Sequence, residues 1–149
     1  MTKLFNESQI KGLTTELKCM EKFIECGFIV SIPYGNNSRY DLLVDLGNGK
    51  YIRIQCKTAS KNDNGSYTIY TANSVATMTQ RTVKHYDSEQ LDFIASIIED
   101  QMLIVPVDLI ANSKSKVFRT ELPKFGAKSM CNLIQDFTVE KYILPMLTE

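Results

Sequence analysis

Four side chains in the N-terminal part of the chain, Glu16, Asp41, Gln55 and Lys57, suit one kind of chemistry. Carboxylate oxygens bind hard divalent cations such as Mg²⁺, and an amide oxygen adds a neutral ligand. An ammonium group beside the cation orients or deprotonates a water. That set serves phosphodiester hydrolysis, because a bound cation lowers the pKa of the attacking water and offsets the charge that builds on the phosphorus centre. Each residue alone also has a plain reading: Asp41 as an acid at the start of a strand, Gln55 and Lys57 as the solvated side of an edge hairpin. Their convergence is what favours chemistry.

The elements that must bring them together can be read from the pattern. Residues Tyr40 to Leu46 and Tyr51 to Lys57 are rich in aromatic and branched side chains, and Gly47-Asn48-Gly49 between them supplies positive φ angles, which predicts a hairpin. Alternation along its second strand puts Ile52, Ile54 and Cys56 on one face and Tyr51, Arg53, Gln55 and Lys57 on the other. Antiparallel pairing then brings Asp41, at the start of the first strand, close to Gln55 and Lys57. Upstream, Ser8 is placed to cap a helix with apolar positions Ile10, Leu13, Leu17, Met20 and Ile24, ending near Gly27. Glu16 lies at the margin of that stripe and leans toward whatever the helix packs on.

Phe28 to Ile32 reads as a short strand ended by Pro33, and Tyr67 to Tyr70 as a strand after the Asn62-Asp63-Asn64-Gly65 turn, for a core sheet of at least four strands. Thr71 to Gln90 is polar without a clear period and reads as an irregular or partly helical excursion. Leu91 to Ile98 and Met102 to Val107 suggest a strand pair around Glu99-Asp100-Gln101, although the first run also suits a helix. Phe137 to Leu147 predicts a short closing helix interrupted by Pro145.

The length of 149 residues, with 44% apolar and 23% charged residues, fits a single domain spanning 1–149. Seventeen basic residues balance seventeen acidic ones, which argues mildly against a nucleic-acid partner unless the charge is locally segregated. The N-terminus has no apolar run of signal-peptide length and no run approaches a membrane span, so a cytoplasmic protein without a membrane partner is expected. Cysteines 19, 26, 56 and 131 form no CxxC and His85 is the one imidazole, so reduced thiols and no zinc site are expected.

The order helix glutamate, Tyr40-Asp41, hairpin, Gln55-Cys56-Lys57-Thr58 resembles the PD-(D/E)XK nuclease superfamily, with Tyr-Asp in place of Pro-Asp and Gln-x-Lys in place of (D/E)-x-K. Glutamine at that place resembles the group I intron-associated homing endonucleases. The resemblance covers Lys11 to Thr58, with looser matches at Tyr86, Asp92 and Pro106. It implies an α/β (α+β) restriction-endonuclease-like core: an N-terminal helix, then a mixed sheet of four to six strands with flanking helices. By carry-over Asp41 is the main metal ligand, Glu16 a second, direct or through water, and Gln55 holds the metal or its water through its amide oxygen, with the Cys56 carbonyl assisting. Lys57 positions the nucleophile, and Arg53, on the same face, contacts phosphate.

The cofactor implied is Mg²⁺, with Mn²⁺ as a substitute, and the partner is double-stranded DNA. Arg81, Lys84, His85 and Tyr86 either line a DNA groove or form an ordinary solvated loop, and Lys114, Lys116 and Arg119 either meet DNA or protect a strand edge. The function implied is a Mg²⁺-dependent, site-specific homing endonuclease. The alternatives are a Holliday-junction resolvase or restriction-type nuclease on the same core, or a DNA-binding or assembly module with a decayed site. One site per chain implies a homo-oligomer, a dimer or tetramer, for which Ile143 and Leu147 are expected as exposed apolar contacts.

Overall fold

The computed structural model describes residues 3–76, 81–126, 128 and 131–149, with backbone alone for 73–76 and 81–84. Helix α1, Glu7–Glu25, starts earlier than the sequence suggests: Asn6 rather than Ser8 caps it, accepting from Gln9 N at 2.8 Å while Gln9 Oε1 accepts from Asn6 N at 3.0 Å. This reciprocal pair satisfies two backbone donors that have no partner inside the helix. The exit is as expected, with Gly27 at φ +86° just beyond the C-cap Cys26.

The helix packs on a face other than the expected one. Cys19 and Phe23 are buried and Met20 is partly so, whereas Ile10, Leu13, Leu17 and Ile24 are exposed. At 100° per residue, Glu16, Cys19 and Phe23 lie to one side of the apolar stripe. A smaller seam therefore carries the contact, and Glu16 sits within it.

The central sheet has five strands in the order β1-β2-β3-β8-β9. Strands β1 (Ile29–Ser31), β2 (Leu42–Gly47) and β3 (Lys50–Cys56) form an antiparallel meander, and β8 (Phe93–Ile98) pairs antiparallel with β9 (Gln101–Pro106). The join between the two halves, β3 to β8, is parallel, so the sheet is mixed. Both hairpins are closed by residues at positive φ, Gly47-Asn48-Gly49 in the first and Glu99-Asp100 in the second.

Tyr67–Tyr70 (β5) does not join this sheet, contrary to expectation. It pairs with β4 (Ser60–Lys61) and β10 (Ser115–Arg119), and β10 pairs with β11 (Asn132–Leu133), giving a second four-stranded sheet. The polar stretch expected to be irregular contains a hairpin of β6 (Ala72–Ala76) and β7 (Arg81–His85). Residues 77–80 lie outside the described residues.

The layers explain the apolar runs. On one face of the central sheet Leu42, Val44, Ile52, Ile54, Phe93, Ala95 and Ile104 pack with Cys19 and Phe23 of α1 and with Val139 and Ile143. On the other, Ile94, Ile98, Leu103 and Val105 pack with Tyr67, Ile69 and Phe118 of the second sheet and with Tyr86, Leu91 and Phe137. Strands buried on both faces read as continuous apolar runs, which is why periodicity left Leu91 to Ile98 open. The closing segment is a short helix α2, Val139–Tyr142, followed by a 3₁₀ turn, Leu144–Leu147. It buries Ile143 completely, which corrects the expectation of an exposed contact there; Leu147 is exposed.

Candidate active site

The site forms where the central sheet divides. Asp41 N donates to Ile54 O at 2.8 Å, which fixes Asp41 opposite Gln55 at the end of the hairpin. One residue on, Lys57 N donates to Ala95 O at 2.9 Å, so the chain leaving β3 follows β8. Cys56 N, at this fork, donates to the Asp41 side chain instead, at 2.8 Å to Oδ2. The same oxygen accepts from Gln55 Nε2 at 2.7 Å. Because a carboxylate only accepts, it fixes the orientation of the amide and leaves Gln55 Oε1 as the atom available to a cation.

Glu16 approaches from α1. Its carboxyl is held above the usual range first by burial and then by the charge of Asp41. Asp41 is also raised, chiefly by burial, against the lowering effect of the Cys56 N–H and the Lys57 ammonium. Two partly buried acids, the charge of Asp41 raising Glu16, with an ammonium beside Asp41 form the kind of perturbed cluster that marks a candidate site. A hydroxyl contact between Thr15 and Thr58, 3.2 Å, ties the Glu16 turn of the helix to the chain just past Lys57.

The structure thus brings Glu16, Asp41, Gln55 and Lys57 together. Cys56 takes part through its backbone. Its thiol is directed toward Cys19 of α1, and that hydrogen bond, then burial, push the thiol pKa far up. Beside Glu16 and Cys56 opens a cleft of about 380 Å³ that Phe5, Gln9, Gly12 and Leu13 complete.

The residues assigned to DNA fare differently. Arg53 is engaged within the protein: Nη2 lies 3.0 Å from Asp92 Oδ1, Nε 3.1 Å from Asp92 Oδ2, and Nη1 and Nη2 donate to the carbonyls of Glu89 and Ser88. It secures the segment leading into β8 and is not placed as a phosphate contact. Tyr86, expected to stack on or bond to DNA, is buried. The side chains of Arg81 and Lys84 lie outside the described residues. His85 Nδ1 is 3.2 Å from the Ser113 carbonyl, a contact that requires a proton on that nitrogen.

One residue that sequence reasoning missed stands close by. Arg39 lies over the Tyr86 ring and donates to Gln90 Oε1 at 3.1 Å. Its place two residues before Asp41 was the available signal.

Among the described residues no three His, Cys, Asp or Glu side chains come together as a metal group. The donors that do converge are two carboxylates, with the Gln55 amide oxygen and the Cys56 carbonyl at the same strand end. That all-oxygen set fits a hard cation such as Mg²⁺ better than zinc. No described helix is long and apolar enough to cross a membrane.

Comparisons with known proteins bear on the family and the fold. The family described as PD-(D/E)XK endonuclease matches residues 6–140. Among solved structures the chain is similar to a bacterial homing endonuclease, I-Ssp6803I, at a TM-score of 0.79 and 19% identity over 95% of each chain. At that identity the likeness is one of fold. No curated protein matches the chain.

Proposed function

The chain belongs to the PD-(D/E)XK endonuclease family, and from that premise we propose that it cleaves double-stranded DNA as a Mg²⁺-dependent, site-specific homing endonuclease acting as a homo-oligomer. The observation that carries this reading is the cluster at the strand fork, where Asp41 Oδ2 takes bonds from Gln55 Nε2 and Cys56 N within electrostatic reach of Glu16 and Lys57. The homing assignment is supported by Gln55 in the motif and by the fold shared with I-Ssp6803I.

Asp41 and Glu16 would hold the cation, with the Gln55 amide oxygen and the Cys56 carbonyl completing the protein's share. When bound, it lowers the pKa of the attacking water and offsets negative charge on the phosphate. The chain's own groups do the rest. Gln55 and the Cys56 N–H fix one oxygen of Asp41, which leaves the other directed by a rigid strand end. Lys57 orients the attacking water and places a positive charge against the phosphate as the new P–O bond forms and the old one breaks. A cation held by Asp41 and Glu16 would offset the charge that Asp41 sets against Glu16.

The test is cleavage of plasmids and of the flanks of the coding region with Mg²⁺, comparing the native chain with Asp41→Ala, Lys57→Ala and Gln55→Ala. Each variant is expected to lose on the order of a hundredfold or more in rate. Native rates in Asp41→Ala and Lys57→Ala would overturn the site. Cutting of four-way junctions without sequence preference would replace the homing reading with that of a resolvase.

A further inference from the structure

Two cations meet on one aromatic ring beside the site. The Tyr86 side chain is 3% exposed, with Arg39 Cζ 5.1 Å and Lys57 Nζ 5.2 Å from its ring centroid. The face of a ring is the negative end of its quadrupole, so it attracts both. Arg39 has two further anchors, Gln90 Oε1 at 3.1 Å and the His85 carbonyl at 3.5 Å. The Tyr86 hydroxyl is buried and finds no hydrogen-bond partner among the described residues. A buried hydroxyl in that state destabilises the fold, so the contacts that favour Tyr86 are those of its ring.

Like charges gathered on one ring repel each other, and the arrangement is favourable where an anion joins them. Lys57 already lies within electrostatic reach of Asp41 at the strand fork. Arg53, which the motif pattern offered as the phosphate contact, is committed to Asp92 and two carbonyls. We infer that Tyr86 is a positioning residue whose ring holds Lys57 and Arg39 as a paired cationic clamp on the phosphates of the bound strand, Lys57 at the scissile phosphate and Arg39 beside it. The clamp rests on the phosphodiester-cleaving reading of the site. It assigns Arg39 a contact with substrate and gives Tyr86 a role that needs no contact with DNA.

The experiment compares Tyr86→Phe, which keeps the ring, with Tyr86→Leu and Tyr86→Met, which remove it, and adds Arg39→Gln. Cleavage kinetics are read alongside NMR of protein carrying ¹³C-labelled lysine, in which the Lys57 ε-methylene is shifted upfield by a ring beneath it. Tyr86→Phe should keep kcat within about twofold and keep the upfield resonance. The ringless variants should lose that resonance and about tenfold in kcat, with a rise in KM smaller than that of Arg39→Gln because Arg39 loses the ring but keeps its other anchors. Arg39→Gln should raise KM by about tenfold or more, the weight of a charged hydrogen bond to phosphate, and leave the Lys57 resonance in place.

Ringless variants that cleave like the native chain would overturn the inference. So would a Tyr86→Phe loss equal to that of Tyr86→Leu, or a native spectrum with no upfield lysine. If neither ringless variant folds, the native and Tyr86→Phe spectra decide. If the native chain cleaves no duplex, the reading of the site fails, while the NMR comparison still reports whether the ring holds Lys57.

Discussion

Asp41 is held in a state that costs stability at neutral pH. Burial first, and the neighbouring acid in the case of Glu16, raise both carboxyls above their ordinary values. An acid whose folded pKa lies above its unfolded one makes the native state bind more protons than the unfolded chain. Stability is therefore fully present at low pH and falls as pH rises through the unfolded value, near 4, and up to the raised folded one. Asp41→Asn removes that penalty yet still offers an oxygen to Gln55 Nε2 and Cys56 N. In chelator at pH 8 the variant should unfold at higher urea than the native chain, with the difference closing toward pH 4, and it should not cleave. A variant less stable than the native chain at pH 8 would show that hydrogen bonding outweighs burial at this carboxyl. Gln55 belongs to the same logic. An acid in its place would set a third negative charge against Asp41, whereas the amide donates to it at 2.7 Å.

At the scale of elements, α1 shows why a helix can be read correctly and still be turned the wrong way. Its existence, its exit at Gly27 and the inward lean of Glu16 follow from spacing, but most of the aliphatic side chains lie on the exposed stripe while Cys19 and Phe23 carry the contact. Phe23→Ala should cost about 3–5 kcal/mol in urea unfolding and reduce cleavage by loosening Glu16, whereas Ile24→Ser, at a position 58% exposed, should stay within about 0.5 kcal/mol. Equal costs would return the packed face to the apolar stripe.

The β2–β3 hairpin was fully legible because its signals are local: alternation, and glycines where φ is positive. The second sheet was not, since Tyr70 pairs with Ser115, 45 residues on, and nothing near either residue announces the other. Arg53 was misread for the same reason, its partner Asp92 lying on the approach to the distant parallel strand β8. Tyr86 was singled out by type, but its role depends on Arg39 and Lys57, which flank it only in the fold.

For the whole molecule, the described residues hold one candidate site per chain, and a duplex presents two strands of opposite polarity. A compact chain of this length measures roughly 35–40 Å across, about one turn of duplex, so one copy reaches one strand at a time and a double-strand cut requires two. The C-terminal contact expected for assembly is weakened by the burial of Ile143, but α1 exposes Ile10 at 42%, Leu13 at 46% and Leu17 at 63% along a single side. Contiguous apolar surface of that kind is favourable when covered. Sedimentation velocity of the native chain at micromolar concentration should show a dimer or tetramer. The double variant Ile10→Glu/Leu17→Glu, at exposed positions, should sediment as a folded monomer. Charge on both sides of the seam would then repel, and on supercoiled plasmid the monomer should give nicked circles where the native chain gives linear product. A native monomer that linearises plasmid, or a double variant that assembles unchanged, would remove α1 from the assembly and direct attention to the second sheet.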